Sequence, residues 1–330
     1  MLVERDVALR APEAGEVHLR VIAAGVNFAD LLMRAGLYGT VPPRPYSPGF
    51  EVAGVVERVG ADVDGWQPGD RAIALLRHGG YVHDVVVPAR QVFVCPESLA
   101  PELAAAVPVV FLTAWVCLFE AARARSGETV LILNAGGGVG TAAVQLAVRH
   151  GLRVIGTAGN VRKRAFVTDE LGADACFDSR GDWEAAVRRQ FGSRSVDVAL
   201  DPVGGHATAA CRRLLAPLGR VIFYGLSEAL PGSRRNWFRV ARAWLRTQRI
   251  HPLSLIEPNT GVHGVHLLHL GDRESILDQA LPGIFKGIAA GELRPVLDRT
   301  FPFDRDGAVA AHRYLHSRSN LGKVVLVRSG

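Results

Sequence analysis

The chain has 330 residues, which is enough for two domains, and its 48% hydrophobic and 21% charged residues are an ordinary globular balance. The formal net charge of +6 is compatible with nucleic acid, a membrane surface or an anionic ligand. Because the basic residues are mostly dispersed and no zinc-finger spacing or RNA-binding aromatic motif occurs, we expect no nucleic-acid partner.

The cysteines and the first residues bear on the compartment. Cys95, Cys117, Cys176 and Cys211 lie far apart and never form a CxxC pair, which favours apolar packing in a reducing compartment. The N-terminus has no apolar signal core, and no apolar run reaches about 18 residues. We therefore expect a cytoplasmic protein without a membrane-spanning segment.

The first third of the chain consists of β-rich runs separated by turns. These runs cover residues 16–26, 51–59, 72–76 and 81–88, and clusters of Pro and Gly lie between them. Short apolar runs bounded by turn residues are typical of strands. The pattern predicts a small β-barrel with few helices.

After Pro101 the pattern changes to alternating strands and helices. A helix-compatible stretch covers 102–120, and helices are expected at about 140–150 and 161–171. Apolar strand-like runs follow one another at 129–135, 153–158, 175–177, 196–201 and 220–225. Continuous apolar strands that alternate with helices predict a doubly wound parallel sheet. Because 322–327 is β-rich again, we expect a barrel domain (1–108 and 293–330) interrupted by a nucleotide-binding domain (109–292).

A glycine-rich loop joins the first strand of this second domain to a helix. The residues are Ala135-Gly136-Gly137-Gly138-Val139-Gly140, an A-x-G-x-x-G variant of the dinucleotide fingerprint. Such a loop lets the backbone approach a pyrophosphate, and the helix N-terminus supplies unpaired N–H groups. Since strand, loop and helix are in register, the loop predicts cofactor binding over a purely structural turn.

The end of the next strand indicates which cofactor is bound. An enzyme that uses NAD usually has an acid there, but this strand ends in Gly156-Thr157-Ala158-Gly159-Asn160. Arg162, Lys163 and Arg164 follow, and cations at a helix start oppose the helix dipole. They favour a 2′-phosphate, and therefore NADPH, although they could also simply face solvent.

Several ordered motifs resemble the medium-chain dehydrogenase/reductase superfamily. They are AAGVNFADLLMRAGLY (23–38), PGFEVAGVV (48–56), QPGDRA (67–72), NAGGGVG (134–140) and LDPVGG (200–205). The zinc-independent quinone oxidoreductase branch is the most similar, and residues 252–270 resemble its vesicle-amine-transport-protein-like members. The resemblance implies a GroES-like catalytic domain, a Rossmann cofactor domain, and a homodimer formed through strands near 253–270. It also implies that one further strand usually precedes the residues that match 2–12.

Two positions distinguish this chain from the zinc-dependent relatives. These relatives have a zinc-binding Cys and a zinc-binding His where this chain has Asn27 and Phe50. The other histidines are irregularly spaced, so we expect a metal-free site. Without a metal an unactivated ketone is a poor hydride acceptor, whereas a quinone or an α,β-unsaturated carbonyl gives a stabilised anion.

The resemblance also implies which residues form the site. Tyr38 matches a tyrosine that acts as donor or acid, or it is a hydrogen-bonded aromatic at the barrel mouth. Asn27 would orient substrate or ribose, and Asp30 lies close by, although a role in capping the following helix is favoured for it. The implied cofactor contacts are Asn27, Thr113, Ala135, Gly137, Gly138, Val139, Gly140, Thr157, Gly159, Asn160, Lys163, Arg164, Phe223, Tyr224, Gly225, Asn320 and Lys323.

The leading interpretation is an NADPH-dependent reductase of quinones or activated alkenes. A tailoring enzyme that reduces an enone in a larger natural product is a second interpretation. A protein that binds the cofactor for regulation, without turnover, is a third. The stretch 236–245, basic and amphipathic, could contact a membrane or an anionic carrier, but more often such a helix packs on its own domain.

Overall fold

The computed structural model describes residues 2–39, 43–227, 250–270 and 275–328, so the basic stretch 236–245 lies outside the described residues. The chain divides into two units, one formed by residues 1–109 and 294–330 and the other by 110–293.

The strands and helices follow one another in an order that differs between the two units. The strands are β1 (Glu16–Val26), β2 (Glu51–Val59), β3 (Arg71–Leu75), β4 (Asp84–Pro88), β5 (Val92–Val94), β6 (Thr129–Ile132), β7 (Arg153–Ala158), β8 (Ala175–Asp178), β9 (Val196–Asp201), β10 (Leu215–Phe223), β11 (Gly261–Gly264), β12 (Leu297–Pro302) and β13 (Lys323–Val327). The helices are α1 (Phe28–Ala35), α2 (Pro101–Ala104), α3 (Pro108–Trp115), α4 (Gly138–Arg149), α5 (Val161–Ala165), α6 (Trp183–Phe191), α7 (His206–Leu214), α8 (Leu253–Ile256), α9 (Ser275–Ala289) and α10 (Arg305–His316).

The first unit is built on a seven-stranded sheet in the order β12-β13-β1-β2-β3-β5, with β4 paired to β1. β1 is long enough to pair with β4 through its first half and with β13 through its second half. Two register shifts against β2 bend it. Val17, Leu19 and Val21 alternate onto the buried face, as expected for a strand with one side in the core. This is the GroES-like unit that the sequence predicts.

The second unit contains a parallel six-stranded sheet in the order β11-β10-β9-β6-β7-β8. The chain starts in the middle at β6, continues outward to β8, and then returns to β9 on the other side of β6. The predicted Rossmann-like sheet is therefore confirmed. In such a sheet ligands bind beyond the carboxyl ends of the strands, at the point where the strand order reverses.

Several predicted boundaries need correction. The strand predicted for 81–88 begins only at Asp84, because the N–H groups of Gly80 and Tyr81 bond to the Pro48-Gly49 turn instead. The helix predicted for 102–120 is broken into α2 and α3, and Pro108, which has no N–H, starts α3.

Other elements end or begin earlier than predicted. The helix predicted for 161–171 ends as α5 at Ala165 and continues as a π-helical turn over Phe166–Glu170. The strand predicted for 220–225 begins at Leu215, and the one predicted for 129–135 ends at Ile132. In the stretch 253–270, expected to hold several strands, the strand is β11, with a helical turn on either side.

One stretch is more apolar than the sequence analysis allowed. Within Pro101–Ala121 an 18-residue segment has a mean hydropathy of 2.0, so by length and composition alone this stretch would suffice to cross a membrane. However, 72% of that segment is buried inside the structure, as is usual for a core helix. The observation is therefore weak support for a membrane span.

Candidate functional site

The glycine loop after β6 contains a glycine, Gly140, whose close contact with the backbone leaves no room for a side chain. A Cβ at Gly140 would lie 2.2 Å from the carbonyl oxygen of Asn134, and one at Gly137 would lie 2.8 Å from the side-chain amide nitrogen of Asn134. Asn134 itself has a left-handed φ of 55°. The loop therefore brings the start of α4 against the end of β6 in the way that the fingerprint requires.

The N-terminus of α4 fits an anionic group. Its N-cap is Gly137, which has no side chain that could bond to the first N–H groups of the helix. Gly138 and Val139 are partly exposed, whereas Ala135 and Gly140 are buried. These N–H groups and the helix dipole form the kind of site that binds phosphate.

The end of β7 lies beside this loop. Thr157 is buried, its carbonyl accepts the N–H of Ala135 at 2.8 Å, and its hydroxyl oxygen accepts the N–H of Asn134 at 3.3 Å. Lys163 is also buried, and its side-chain carbons would lie 3.1–3.3 Å from a Cβ at Gly136. The lysine side chain therefore extends across the glycine loop.

Two other predicted cofactor contacts have protein partners here. Asn160 is the N-cap of α5, and its side-chain oxygen accepts the N–H of Lys163 at 2.9 Å. Arg164 forms an ion pair with Asp178 at 3.1 Å, so a ligand phosphate would have to compete with this carboxylate. Of the three cations that the sequence singled out, Lys163 is the one that lies against the loop.

A cation that sequence reasoning missed is Arg180. It follows β8, and its guanidinium Nε lies 3.5 Å from the position of a Cβ at Gly159. The signal that could have identified it is its place just after the carboxyl end of a neighbouring parallel strand.

The loops after β9 and β10 are held by a buried carboxylate. Asp201 accepts the N–H groups of Val203 (2.7 Å) and Gly204 (3.0 Å) and the hydroxyl of Thr208 (2.5 Å). The carbonyl of Asp201 accepts the N–H of Tyr224 at 3.2 Å. Phe223 thus ends β10, and Tyr224 and Gly225 follow it, at the same end of the sheet as the glycine loop. Thr113 is buried in α3.

In the first unit, Asn27, Glu51 and Lys323 form a buried hydrogen-bonded group. The ammonium of Lys323 forms an ion pair with Glu51 Oε1 (2.7 Å) and donates hydrogen bonds to Asn27 Oδ1 (2.7 Å) and to the Val26 carbonyl (3.0 Å). The amide of Asn27 donates to Glu51 Oε1 at 2.8 Å, and the N–H of Val109 donates to Glu51 Oε2 at 2.8 Å. Glu51 is fully buried, and it is balanced by a cation from a strand far along the chain.

These contacts bear on the expectation that Asn27 and Lys323 touch the cofactor. The ammonium of Lys323 is paired with Glu51 and donates to Asn27 and to the Val26 carbonyl, all within this unit. Both ends of the Asn27 amide are engaged as well. Asn320 donates to the carbonyl of Gly322 at 2.7 Å and so closes the turn before β13. These bonds within the unit fix the positions of the three side chains, and their contact with the cofactor stays a prediction.

Asp30 is another fully buried carboxylate of this unit. It accepts the N–H of Asn27 (2.8 Å), the N–H of Gly49 (2.8 Å) and the hydroxyl of Tyr81 (3.2 Å). Burial raises its pKa to about 6, although these hydrogen bonds and the charge of Lys323 oppose the shift. The bond to Asn27, which precedes α1, is the capping role that the sequence favours for Asp30.

Tyr38 packs near the position where the zinc-dependent relatives have a histidine. Its ring centroid lies 5.6 Å from that of Phe50, at an interplanar angle of 54°. Burial, and then the charge of Asp30, raise the pKa of Tyr38 to about 12. The phenol therefore keeps its proton at neutral pH and can act as a hydrogen-bond donor.

The residues at the motif positions do not fit a zinc ion. Asn27 and Phe50 offer no thiolate or imidazole, and Glu51 is already paired with Lys323. Over the described ranges, no group of three or more His, Cys, Asp or Glu is placed to hold a metal ion.

Two family models match the chain. Residues 13–97 match the alcohol dehydrogenase GroES-like domain. Residues 171–326 match a family described as zinc-binding dehydrogenase. The description of the second family names zinc, but Asn27 and Phe50 of this chain lie outside the range that it matches.

Comparison with known proteins gives the same superfamily. The chain is 37% identical, over 96% of its length, to the synaptic vesicle membrane protein VAT-1 homolog of Danio rerio, and it spans 65% of that relative's length. It is 31% identical to the quinone oxidoreductase of Rattus norvegicus, over 98% of this chain and 93% of the relative.

Solved structures of a quinone oxidoreductase and an enoyl reductase are also similar to this chain. The quinone oxidoreductase from Thermus thermophilus, also solved with NADPH, has a TM-score of 0.80 and 37% identity over 98% of this chain and 95% of the other. The CurK enoyl reductase has a TM-score of 0.83 and 28% identity over 98% and 94%. The chain therefore belongs to the medium-chain dehydrogenase/reductase superfamily, in the group that contains the VAT-1 homologues and the quinone oxidoreductases.

Proposed function

We propose that this oxidoreductase uses NADPH to reduce a quinone or an α,β-unsaturated carbonyl without a metal ion. The observation that carries the proposal is Phe50 at the metal-ligand position, followed by a Glu51 that is already neutralised by Lys323. Because no metal polarises the acceptor, the acceptor must stabilise the charge that develops on it. Quinones and conjugated carbonyls do so by delocalisation.

The two units would then have separate tasks. Residues 1–108 and 293–330 form the catalytic domain in this proposal, and 109–292 form the cofactor domain. The N-terminus of α4 would bind the pyrophosphate, and Lys163, with Arg180 nearby, would bind the 2′-phosphate. NADPH supplies hydride when bound. The relative from Thermus thermophilus, which was solved with NADPH, supports this choice of cofactor.

Tyr38 is the residue that we propose to act on the substrate. Its phenol, held protonated by burial and by Asp30, would donate a hydrogen bond to the oxygen on which negative charge accumulates. The ring of Phe50 would fill the space beside it and exclude water. Asn27 and Asp30 would keep the first turn of α1 in place beneath this donor.

The test is to follow NADPH oxidation with a benzoquinone, a naphthoquinone, a conjugated enone and a simple ketone. We expect oxidation with the quinones or the enone, none with the ketone, and no loss after treatment with a chelator. Tyr38→Phe should lower kcat at unchanged NADPH affinity. Turnover of the simple ketone, or loss of activity on chelation, would contradict the proposal.

A second candidate is the reduction of an enone or enoyl group in a larger natural-product intermediate. The likeness to the CurK enoyl reductase supports it. A panel that adds an enoyl thioester separates the candidates, because a tailoring enzyme should prefer the thioester to the quinones. NADPH binding without oxidation by any acceptor would instead favour a regulatory protein.

We also propose a cytoplasmic homodimer. Leu218, Leu253 and Ile256 support it, because they expose 81%, 57% and 64% of their surface near the edge strand β11. Light scattering after size-exclusion chromatography should give twice the mass of the chain. Replacing Ile256 and Leu253 with Ser should produce monomers, and a monomeric native protein would refute this part of the proposal.

A further inference from the structure

A hydrogen-bonded chain with buried ends runs from Asp30 through the partly buried Tyr81 to His312 in the first unit. The hydroxyl of Tyr81 lies 3.2 Å from Asp30 Oδ2 and 3.2 Å from His312 Nε2, and the rings of Tyr81 and His312 meet edge to face at 5.8 Å. Asp30 and His312 are both fully buried. The reaction proposed above makes no direct use of Tyr81 or His312.

The chemistry of the three groups fixes the direction of the chain. An ionised carboxylate only accepts hydrogen bonds, so the hydroxyl of Tyr81 must donate to Asp30. The oxygen of Tyr81 then accepts from the Nε2–H of His312. Burial, and then the charges of Arg34 and His316, lower the pKa of His312 to about 3, so the imidazole is neutral.

The far end of the chain leaves one polar atom unpaired. His312 Nδ1 is buried and has no hydrogen-bond partner among the described residues. When Asp30 takes up a proton, its carboxyl can donate to the oxygen of Tyr81, and the charge-assisted bond from the Tyr81 hydroxyl to the carboxylate is lost.

Other charged and titratable groups lie around Asp30 and Tyr81. The ammonium of Lys323, from the sheet, acts on Asp30, and the charges of Glu51, from the sheet, and Arg34, from α1, act on Tyr81. Tyr38 and Tyr46 lie within the electrostatic influence of Asp30, and His316 lies on α10 beside Arg34. Among the residues named here, Tyr81 is the one whose side chain donates a hydrogen bond to the carboxylate of Asp30.

We infer that Tyr81 and His312 are positioning residues for the proposed reaction, because they orient Asp30. Asp30 in turn ties the start of α1 to Gly49, and this keeps Tyr38 beside Phe50. Asp30 holds both sides of this arrangement through the N–H groups of Asn27 and Gly49. Protonation of Asp30 weakens both of these bonds, because a neutral carboxyl is a poorer acceptor than a carboxylate. Activity therefore falls on the acid side as Asp30 becomes protonated. The inference rests on the proposed function.

The test compares Tyr81→Phe, His312→Leu and His312→Gln with the native protein. The carboxyl of Asp30 is titrated by ¹³C NMR in the protein without cofactor, where its signal is assigned by its loss in Asp30→Asn. The pH dependence of kcat/KM with NADPH and a naphthoquinone is measured on the same proteins. Tyr46→Phe is the matched control, because it removes a tyrosine hydroxyl that bonds to the Met33 carbonyl instead.

Removing the donor of Tyr81 disfavours the ionised form of Asp30, so its pKa must rise. We expect Tyr81→Phe to raise it by about one pH unit and to shift the acid limb of kcat/KM by the same amount. His312→Leu should shift the pKa of Asp30 and the acid limb of kcat/KM in the same direction but by less. His312→Gln keeps an N–H donor, so it should give the native values of both quantities. Tyr46→Phe should leave both unchanged.

The outcomes separate the two proposals. An unshifted acid limb in an active Tyr81→Phe protein, or a shift of the NMR titration without a shift of the limb, overturns the positioning role and leaves the proposed function standing. Absence of turnover in the native protein with every acceptor overturns the proposed function, and the positioning role with it. If His312→Leu does not fold, Tyr81→Phe and His312→Gln still decide the question.

Discussion

Removal of the Lys323 ammonium should destabilise the protein far more than loss of an ordinary ion pair. The change Lys323→Met keeps the length of the side chain but leaves Glu51 fully buried without its cation. It also removes the donors to Asn27 Oδ1 and to the Val26 carbonyl. Breaking a buried pair by removing one partner costs about 3–5 kcal/mol, and we expect a loss in this range.

The remaining partners of Glu51 limit how far the structure can compensate. The N–H of Val109 and the amide of Asn27 still donate to the carboxylate, but both are neutral donors. Adding Glu51→Gln to Lys323→Met removes the uncompensated charge. The double variant should therefore be less unstable than the sum of the two single changes, by at least about 1 kcal/mol.

The assay is urea unfolding followed by circular dichroism at pH 7. Arg20→Ala is the matched control, since Arg20 and Glu57 form an ion pair on β1 and β2 whose side chains are 43% and 40% exposed. Such a pair should contribute less than about 1 kcal/mol. A cost of Lys323→Met as small as that of Arg20→Ala, or simple additivity in the double variant, would show that the buried pair is not coupled as the distances indicate.

Three further changes test the other parts of the structure. Lys163→Met should weaken NADPH binding about tenfold and NADH binding by less than about twofold, because only NADPH carries the 2′-phosphate. Equal losses of affinity for the two cofactors in isothermal titrations would contradict this prediction. Gly140→Ala places a Cβ 2.2 Å from the Asn134 carbonyl oxygen, so it should destabilise the protein by about 1–3 kcal/mol and weaken NADPH binding. Gly283→Ala, which has open space around it, should change neither the stability nor the NADPH affinity. His312 is neutral when folded but charges in the unfolded chain below about pH 6.5, so the stability that its neutral form provides is lost as pH falls toward 3. Between pH 7 and pH 5 the free energy of unfolding of the native protein should therefore fall by about 2 kcal/mol more than that of His312→Gln. Parallel curves of unfolding free energy against pH for the two proteins would refute this prediction.

The sequence predicts those parts of the fold that depend on local pattern. The apolar run that forms β1 and the glycine loop before α4 can each be recognised from about a dozen consecutive residues. The errors arise where a distant segment competes for the backbone, as when Tyr81 bonds to Pro48 instead of extending β4. The partnership of Lys323 with Asn27, 296 positions away, is of the same kind. A motif placed both residues near the site, but it could not reveal that they bond to each other.

The buried pair also bears on what the protein can reduce. Glu51 keeps a negative charge in the core next to the position where a metal would otherwise bind, and Lys323 supplies the balancing cation. This cation is a poor replacement for a metal as an electrophile, because it is buried, paired with Glu51 and already donates two hydrogen bonds within the protein. Phe50 adds an apolar surface, and Tyr38 adds one neutral donor with a raised pKa. A single neutral hydrogen bond stabilises developing charge far less than a metal does. Under the proposed function, the acceptors that such a site would reduce are therefore those that disperse the charge through conjugation.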